Sequence, residues 1–382
     1  MTDVFLISAA RTPIGRANKG SLVSVRPDDL AAAVVISALA RGGVPGEGVD
    51  DLQLGCGYPE GEQGYNLGRR VALLAGLPVS VPGSTVSRMC ASSLQAVRTG
   101  VHAIRCGESQ VHVAAGVESI SRVGRTTRPE DMHPELRGGR FADVYVSMGI
   151  TAENVAAEFD VSREDMDALA LRSHQRALDA QDGGFFARDI VGVTLADGTM
   201  VVQDDGPRRD TSIEKLGSLK SAFSEGGPIT AGNACPLSDG AAAVVLAGEE
   251  AVDRFDLRPR ARIVATAVCG VAPEMMGIGP IDAIRAVLHS SGLTMKDIDV
   301  VELNEAFAAQ VIAVCRETGI DMDGQLNPHG GAIALGHPFG MTGARLVGAV
   351  ATDLDALDGT FGIATLCVGG GQGMALLMER MS

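Results

Sequence analysis

The sequence predicts an α/β protein built from two similar halves, with a long insertion in the first. Three observations carry that prediction. Short apolar runs of strand character alternate with amphipathic helical runs, which implies a mostly parallel sheet covered by helices. The order of elements in the first part of the chain recurs after residue 259, the mark of an internal duplication. Between the two copies, a stretch richer in Arg, Asp, Gly and Pro breaks the alternation and is too long for a plain loop. The expected organisation is an N-terminal half over 1–118, completed by about 237–258, an inserted covering domain over 119–236, and a C-terminal half over 259–382.

In chain order, Val4–Ala10 reads as a buried strand, and a helix from Pro27 to Arg41 follows, with Pro at its start and Gly42-Gly43 at its end. Asp51–Gly55 is a short strand, Leu67–Ala75 a short helix and Thr85–Ser87 a strand leading to Cys90. The helix after Cys90 places Leu94, Val97, Val101 and Ile104 on one face and leads into the strand Val111–Gly116. In the insertion, helices are expected over Met148–Phe159 and Ser162–Gln181, the second opened by the capping pattern Ser162-Arg163-Glu164-Asp165, with strands at Ile190–Leu195 and Met200–Val202. Apolar strand character returns at Ala241–Leu246. The repeat follows: strand Arg262–Gly270, helix Ile281–Ser291 ended by Gly292, strand character up to Leu303, helix Gly340–Leu354 and strand Gly362–Cys367.

Composition narrows the function. A formal charge of −15 argues against a nucleic-acid or anionic-membrane surface. The seven cysteines are odd in number, dispersed and free of any CxxC, so neither a disulfide framework nor a zinc site is expected. No apolar run approaches the roughly 18 residues that cross a bilayer, and the N-terminus has no basic region before its strand. The expectation is a cytoplasmic protein without a bound metal.

The chemistry centres on Val86-Ser87-Arg88-Met89-Cys90-Ala91-Ser92-Ser93, which puts a thiol where a strand passes into a helix. Unpaired N–H groups and the helix dipole at such a position favour thiolate, the nucleophilic form. A free thiol is also a common small buried hydrophobe, so a nucleophile needs partners. Three further stretches lie at element ends: Asn304-Glu305-Ala306-Phe307, the Gly-rich Asn327–Gly343 containing His337, and Cys367-Val368-Gly369-Gly370-Gly371. Asn304 there has two readings, a helix N-cap or a site residue. The glycine run after Cys367 lies between two strands rather than before a helix, which argues against a nucleotide fingerprint. Together these parts are what acyl transfer through a thioester requires: a thiol, a base, oxyanion donors and a second proton carrier.

These residues resemble the thiolase family over nearly the whole chain. The resemblance rests on Cys90-Ala91-Ser92-Ser93-Leu94-Gln95-Ala96, Ile229-Thr230-Ala231-Gly232-Asn233-Ala234, Asn304-Glu305-Ala306-Phe307, Gly330–Pro338 and Cys367–Gly371. It implies two βαβαβαββ halves stacked as five α/β/α/β/α layers, with a loop domain over the site. It implies Cys90 as acyl-carrying nucleophile and His337 as its base. A water on Asn304, with His337, would hold an enolate oxygen. Cys367 would be the acid/base at the α-carbon, and the amides of Cys90 and Gly369 a second oxyanion hole. Coenzyme A enters as a substrate, with no permanently bound cofactor, and the protein is expected to be a homodimer or homotetramer. Met148, Arg208, Ala231, Cys235, Ala306 and Phe307 are the expected substrate and CoA contacts. Arg208 comes from the locally basic stretch Pro207–Lys220, which also holds Arg209, Lys215 and Lys220.

Three positions depart from the family pattern. Ser93 stands where Gly is usual, Cys235 where Ser follows Gly-Asn-Ala, and Ser147-Met148-Gly149 where short-chain members have His-Met-Gly. The last of these, with Asn327-Pro328 and Thr342-Gly343, resembles degradative 3-ketoacyl-CoA enzymes of β-oxidation type more than a biosynthetic acetoacetyl-CoA-forming one, which implies broad or longer-chain thiolysis. A ketosynthase relative is disfavoured by Cys367. A non-catalytic acyl-CoA-binding relative is disfavoured because Cys90, Asn304, His337 and Cys367 are all present.

Overall fold

The computed structural model describes residues 2–123, 129–138 and 142–381. The first part of the chain runs β1 (Val4–Arg11), β2 (Gly15–Arg16), α1 (Pro27–Gly42), β3 (Asp51–Gly55), α2 (Leu67–Leu74), β4 (Gly83–Val86), α3 (Ser92–Arg105) and β5 (Val111–Ser119). Next come α4 (Pro134–Gly138), α5 (Met148–Glu158), α6 (Arg163–Asp182), the hairpin β6 (Val193–Thr194) and β7 (Met200–Val201), and α7 (Ile213–Gly217). β8 (Ser238–Gly248) and α8 (Glu249–Phe255) follow. The last part is β9 (Ala261–Gly270), α9 (Gly279–Ser291), β10 (Val300–Leu303), α10 (Ala308–Thr318), α11 (Ala332–Leu335), α12 (Phe339–Leu357), β11 (Phe361–Val368) and β12 (Gln372–Arg380).

Strand order shows the duplication directly. The first half is ordered β4-β3-β5-β8-β1 and the second β10-β11-β12-β9, with Leu326 paired to Val301 where the second half's outermost strand would lie. In both, the outer pairs are parallel and the inner ones antiparallel. The halves join along their edges at Phe5–Arg262 and Leu6–Ala261, with the Arg260 N–H also donating to the Leu6 carbonyl. α3 and α12 pack on each other between the sheets, α1 covers the outer face of the first and α9 that of the second. The result is five α/β/α/β/α layers.

The middle layer is tight because of small residues. A Cβ on Gly116 of β5 would fall 2.0 Å from the Gly340 carbonyl oxygen and 2.5 Å from the Ser93 Cβ. One on Gly343 would fall 2.3 Å from the Leu94 amide nitrogen. The Ser93 hydroxyl, buried, accepts the Ala344 N–H at 2.9 Å. The Ser that departs from the family's Gly therefore ties α3 to α12. The N-terminal ends of these two helices consequently meet.

Between the halves, α5 and α6 pack on α10, and α6 also packs on α11. This segment leaves the first half and lies over the second. Of the insertion expected at 119–236, residues 124–128 and 139–141 lie outside those described. The strand expected at Ile190–Leu195 shrinks to Val193–Thr194. The Asp189 carbonyl and Val191 N–H bond instead to the backbone of Arg11. Ser162 caps α6 by accepting the Asp165 N–H, as its pattern predicts.

Gly116→Ala should force α12 off β5 and cost about 3 kcal/mol, by the cost of overpacking a filled core; urea denaturation of the folded variant measures it.

Candidate active site

Cys90 precedes α3 in a tight turn. Met89 takes φ +44°, and Ser92 closes the turn by donating its hydroxyl to the Met89 carbonyl and accepting the Arg88 N–H. The Cys90 thiol receives the Gly369 N–H and its own backbone N–H, which favour thiolate. Burial outweighs them and pushes the thiol up to about 11. Position at a helix terminus shifts the thiol the other way, but two amide dipoles do not replace the hydration lost. Glu118, also buried, adds a smaller rise.

Gly369 follows β11, in the turn where Gly370 and Gly371 take φ +82° and +81°. A Cβ at 369 would lie 3.6 Å from the Met89 Cγ and 3.7 Å from the Met148 Sδ, so two flexible thioethers flank the amide that faces Cys90. Cys367, at the end of the same strand, is buried, and its thiol donates to the Gln310 Oε1 at 3.8 Å. Burial, with the neighbouring Cys90 and Cys235 thiols adding to it, holds Cys367 well above the usual thiol range. Cys235 is raised likewise, by burial and then by Cys90. Three thiols thus share one electrostatic neighbourhood.

His337 immediately precedes Pro338 and α12 and is buried. Its Nδ1 lies 2.6 Å from the Thr342 hydroxyl, which itself donates to the Pro338 carbonyl at 2.8 Å. With that hydroxyl proton committed, Thr342 must accept from Nδ1–H, leaving Nε2 as the ring's lone-pair nitrogen. Nε2 has no protein partner, and burial pulls the imidazole down to about 3, so the ring is neutral. Asn304 does not cap α10, whose N-cap is Phe307. It is fully buried, and both its side-chain oxygen and nitrogen lack a protein partner. A buried amide with both ends open marks a place for a ligand or water.

The expected CoA contacts fall into two groups. Ala306 and Phe307 form a buried wall with Cys235, whose N–H bonds the Ala306 carbonyl, while Phe307 meets Phe223 edge-on at 5.9 Å. Arg208 and Ala231 line a separate cleft of about 220 Å³, together with Arg16, His174 and Lys215. Of the basic stretch, Arg209 pairs with Asp182 and Lys215 with Asp210.

Sequence reasoning missed three supporting residues. Gln310 anchors Cys367 and also accepts the Ala306 N–H; a lone Gln in the apolar run Ala308–Cys315 was the available signal. Thr342 sets the tautomer of His337. Glu118 accepts from the amides of Gly57, Tyr58 and Gly340 and from Gln63, fixing the N-terminus of α12 to β5. A single Glu at a strand end carries no such signal in sequence.

Among the described residues, no group of three or more His, Cys, Asp or Glu is arranged to hold a metal ion, and no helix is long and apolar enough to cross a membrane.

A duplicated α/β architecture thus holds three thiols in one neighbourhood at the junction of its halves. The chain matches the family model "Thiolase, N-terminal domain" over residues 4–250 and "Thiolase, C-terminal domain" over 257–380. It belongs to the thiolase family. It is 47% identical to a beta-ketoadipyl-CoA thiolase of Pseudomonas aeruginosa, covering 99% of each chain. It is 44% identical to a 3-ketoacyl-CoA thiolase of Bacillus subtilis, covering 99% of this chain and 100% of that one. The structure of human mitochondrial 3-ketoacyl-CoA thiolase in complex with CoA superposes with a TM-score of 0.91 at 36% identity, covering 100% of this chain and 98% of that one.

With Cys90 a neutral thiol raised by burial to about 11, alkylation of the free enzyme by iodoacetamide should quicken about tenfold per pH unit from 7 towards 10. A rate already flat by pH 7, followed by mass spectrometry of the Cys90 peptide, would show a preformed thiolate instead.

Proposed function

We propose that this chain cleaves 3-ketoacyl-CoA with CoA, giving acetyl-CoA and a shortened acyl-CoA, reversibly and by a ping-pong route. The observation that carries the reading is the Cys90 thiol facing the Gly369 amide with the Cys367 thiol in the same neighbourhood. A nucleophile and a separate acid/base, both thiols, suit carbon–carbon exchange rather than simple hydrolysis.

In this reading the Cys90 proton passes to His337 Nε2 and the thiolate attacks the C3 carbonyl. The amides of Cys90 and Gly369 donate to the tetrahedral oxyanion. The C2–C3 bond then breaks and its electron pair forms the acetyl-CoA enolate. The protonated Nε2 and a water on Asn304 hold the enolate oxygen, and the Cys367 S–H protonates C2. The Cys367 thiolate next takes the proton of incoming CoA, whose sulfur displaces Cys90 from the acyl thioester, and the released Cys90 thiolate recovers its proton from His337 Nε2. The high resting position of Cys90 makes proton transfer to His337 part of the attack, concerted with bond formation to the carbonyl carbon. Met148, Ala231, Cys235, Ala306 and Phe307 line the path of the pantetheine and acyl group, and Arg208 meets the phosphate end of CoA.

The flexible Met89 and Met148 flanking Gly369 support a degradative enzyme that accepts medium or long 3-ketoacyl chains. A second reading, 3-oxoadipyl-CoA as the substrate, is favoured by the 47% identical relative named for beta-ketoadipyl-CoA. Relative kcat/KM for acetoacetyl-CoA, 3-oxoadipyl-CoA and C8–C16 3-ketoacyl-CoA separates them, and no cleavage of any sinks the proposal. Cys90→Ala should abolish acyl-enzyme labelling. Cys367→Ala should still accept an acyl group from acyl-CoA but lose carbon–carbon exchange by more than about 10²-fold, the scale of a general acid/base.

We also propose a homo-oligomer. The first sheet ends at β4, beside the exposed Tyr65, Leu73, Leu74 and Val79, with Tyr65 95% and Val79 81% exposed. An open strand edge next to an apolar patch favours a second copy. Sedimentation should show a dimer or tetramer, and Val79→Asp should shift it towards monomer; a wild-type monomer at micromolar concentration would contradict this.

A further inference from the structure

Away from the thiols, the inner ends of the two halves share a buried charge cluster that the reaction does not use. Glu302 on β10 and Asp353 on α12 are 2% and 1% exposed. Glu302 Oε2 accepts from Arg345 Nη1 at 3.1 Å, and Asp353 Oδ1 lies at hydrogen-bond distance, 2.7 Å, from His329 Nδ1. Asp353 Oδ2 has no donor, and the Glu302 carboxyl lines the same small cavity and acts on it. Two buried carboxylates with one arginine directly on them repel each other, which favours holding a proton on one of the pair.

The surroundings agree. From β1, Arg11 faces the cluster but is committed to Asp204 through two bonds at 2.7 and 2.8 Å. Asp189, from the segment after α6, adds a further negative charge. Arg345 is the cation directly on the pair. Arg188, Arg176 and Glu305 act from farther out, on His329 or Glu302. Burial keeps His329 neutral and stacked on Phe185 at 3.5 Å. Four carboxylates thus meet two arginines. The pair borders a cavity of about 30 Å³, enough for a water to carry a proton in or out.

We propose that Glu302 and Asp353 hold one proton between them, and that this shared proton latches β10 to α12 and thereby positions Asn304 and His337. Asn304 lies two residues beyond Glu302, and α12 begins two residues after His337. The positioning role rests on the function proposed for those two residues; the shared proton does not. Burial raises both carboxyl groups, Glu302 to about 8 against an ordinary 4.5. Between those values the folded chain keeps a proton that the unfolded chain has lost, so stability falls as pH rises across that window and levels above it. In the folded enzyme the latch opens above about pH 8.

Asp353→Asn supplies a neutral donor in place of the proton, and Glu302→Gln does so from the other side. In wild type at pH 7, infrared spectra in D2O should show a protonated-carboxyl band that both variants lack. Tm should fall between pH 5 and 8 in wild type, with a slope smaller by up to one proton in both variants. On going from pH 7 to 9, kcat should fall about tenfold more in wild type than in Asp353→Asn, as one pH unit beyond the opening point requires. Loss of either the band difference or the slope difference overturns the shared proton, whatever the activity. Both differences with identical kcat profiles overturn the positioning role.

Discussion

The close approach of α3 and α12 is the constraint on which the rest of the structure depends. Gly116, Gly340, Gly343 and Ser93 let two helices and a strand meet at backbone distance. Each helix follows a loop bearing a candidate catalytic residue, Cys90 before one and His337 before the other. Drawing the helix ends together draws those loops together. The Glu118 carboxylate, taking the Gly340 N–H at the start of α12 and two amides from the first half, fixes the approach further. Its charge sits at the positive end of a helix dipole, where a buried carboxylate is best tolerated.

Burial sets the electrostatics of the site as firmly as it sets the packing. The same dry environment raises Cys90, Cys235 and Cys367 and lowers His337. The resting site is therefore neutral, with no ion pair waiting. Open polar atoms remain at Asn304 and at His337 Nε2. In a dry site such atoms interact strongly with charge that develops during reaction and need no reorganisation to do so. The Thr342–Pro338 hydrogen bond matters for the same reason, because it fixes which imidazole nitrogen stays open.

The duplication explains how a chain of this length builds such a site. Each half carries its candidate residues at strand ends or just before helices, and the contact of α3 with α12 brings the two sets to one junction. The segment between them then folds across the second half, bringing Met148 to Gly369 and the 208–231 region to a cleft of its own.

Much of this was legible in sequence. Alternating strands and helices, the recurrence of their order, and most helix ends followed from apolar periodicity and from Pro and Gly placement, because these are local properties. Cys90, Asn304, His337 and Cys367 stood out because polar or reactive residues at element ends are conspicuous within apolar runs, whereas the Gly369 amide entered only through the family resemblance. Other features could only come from the tertiary structure. The sign of the Cys90 shift depends on how much water the fold excludes, which no neighbouring residue encodes. That Asn304 does not cap a helix depends on α10 beginning at Ala308, with Phe307 as its N-cap. Gln310, Glu118 and the Glu302–Asp353 pair gain meaning only from partners up to 222 residues away. The shortened strand at Val193–Thr194 lost its backbone to Arg11, far off in the chain. Sequence determined which elements form and which chemistry is available; three-dimensional packing decided which groups meet and in what protonation state, because burial and contact are properties of the whole fold.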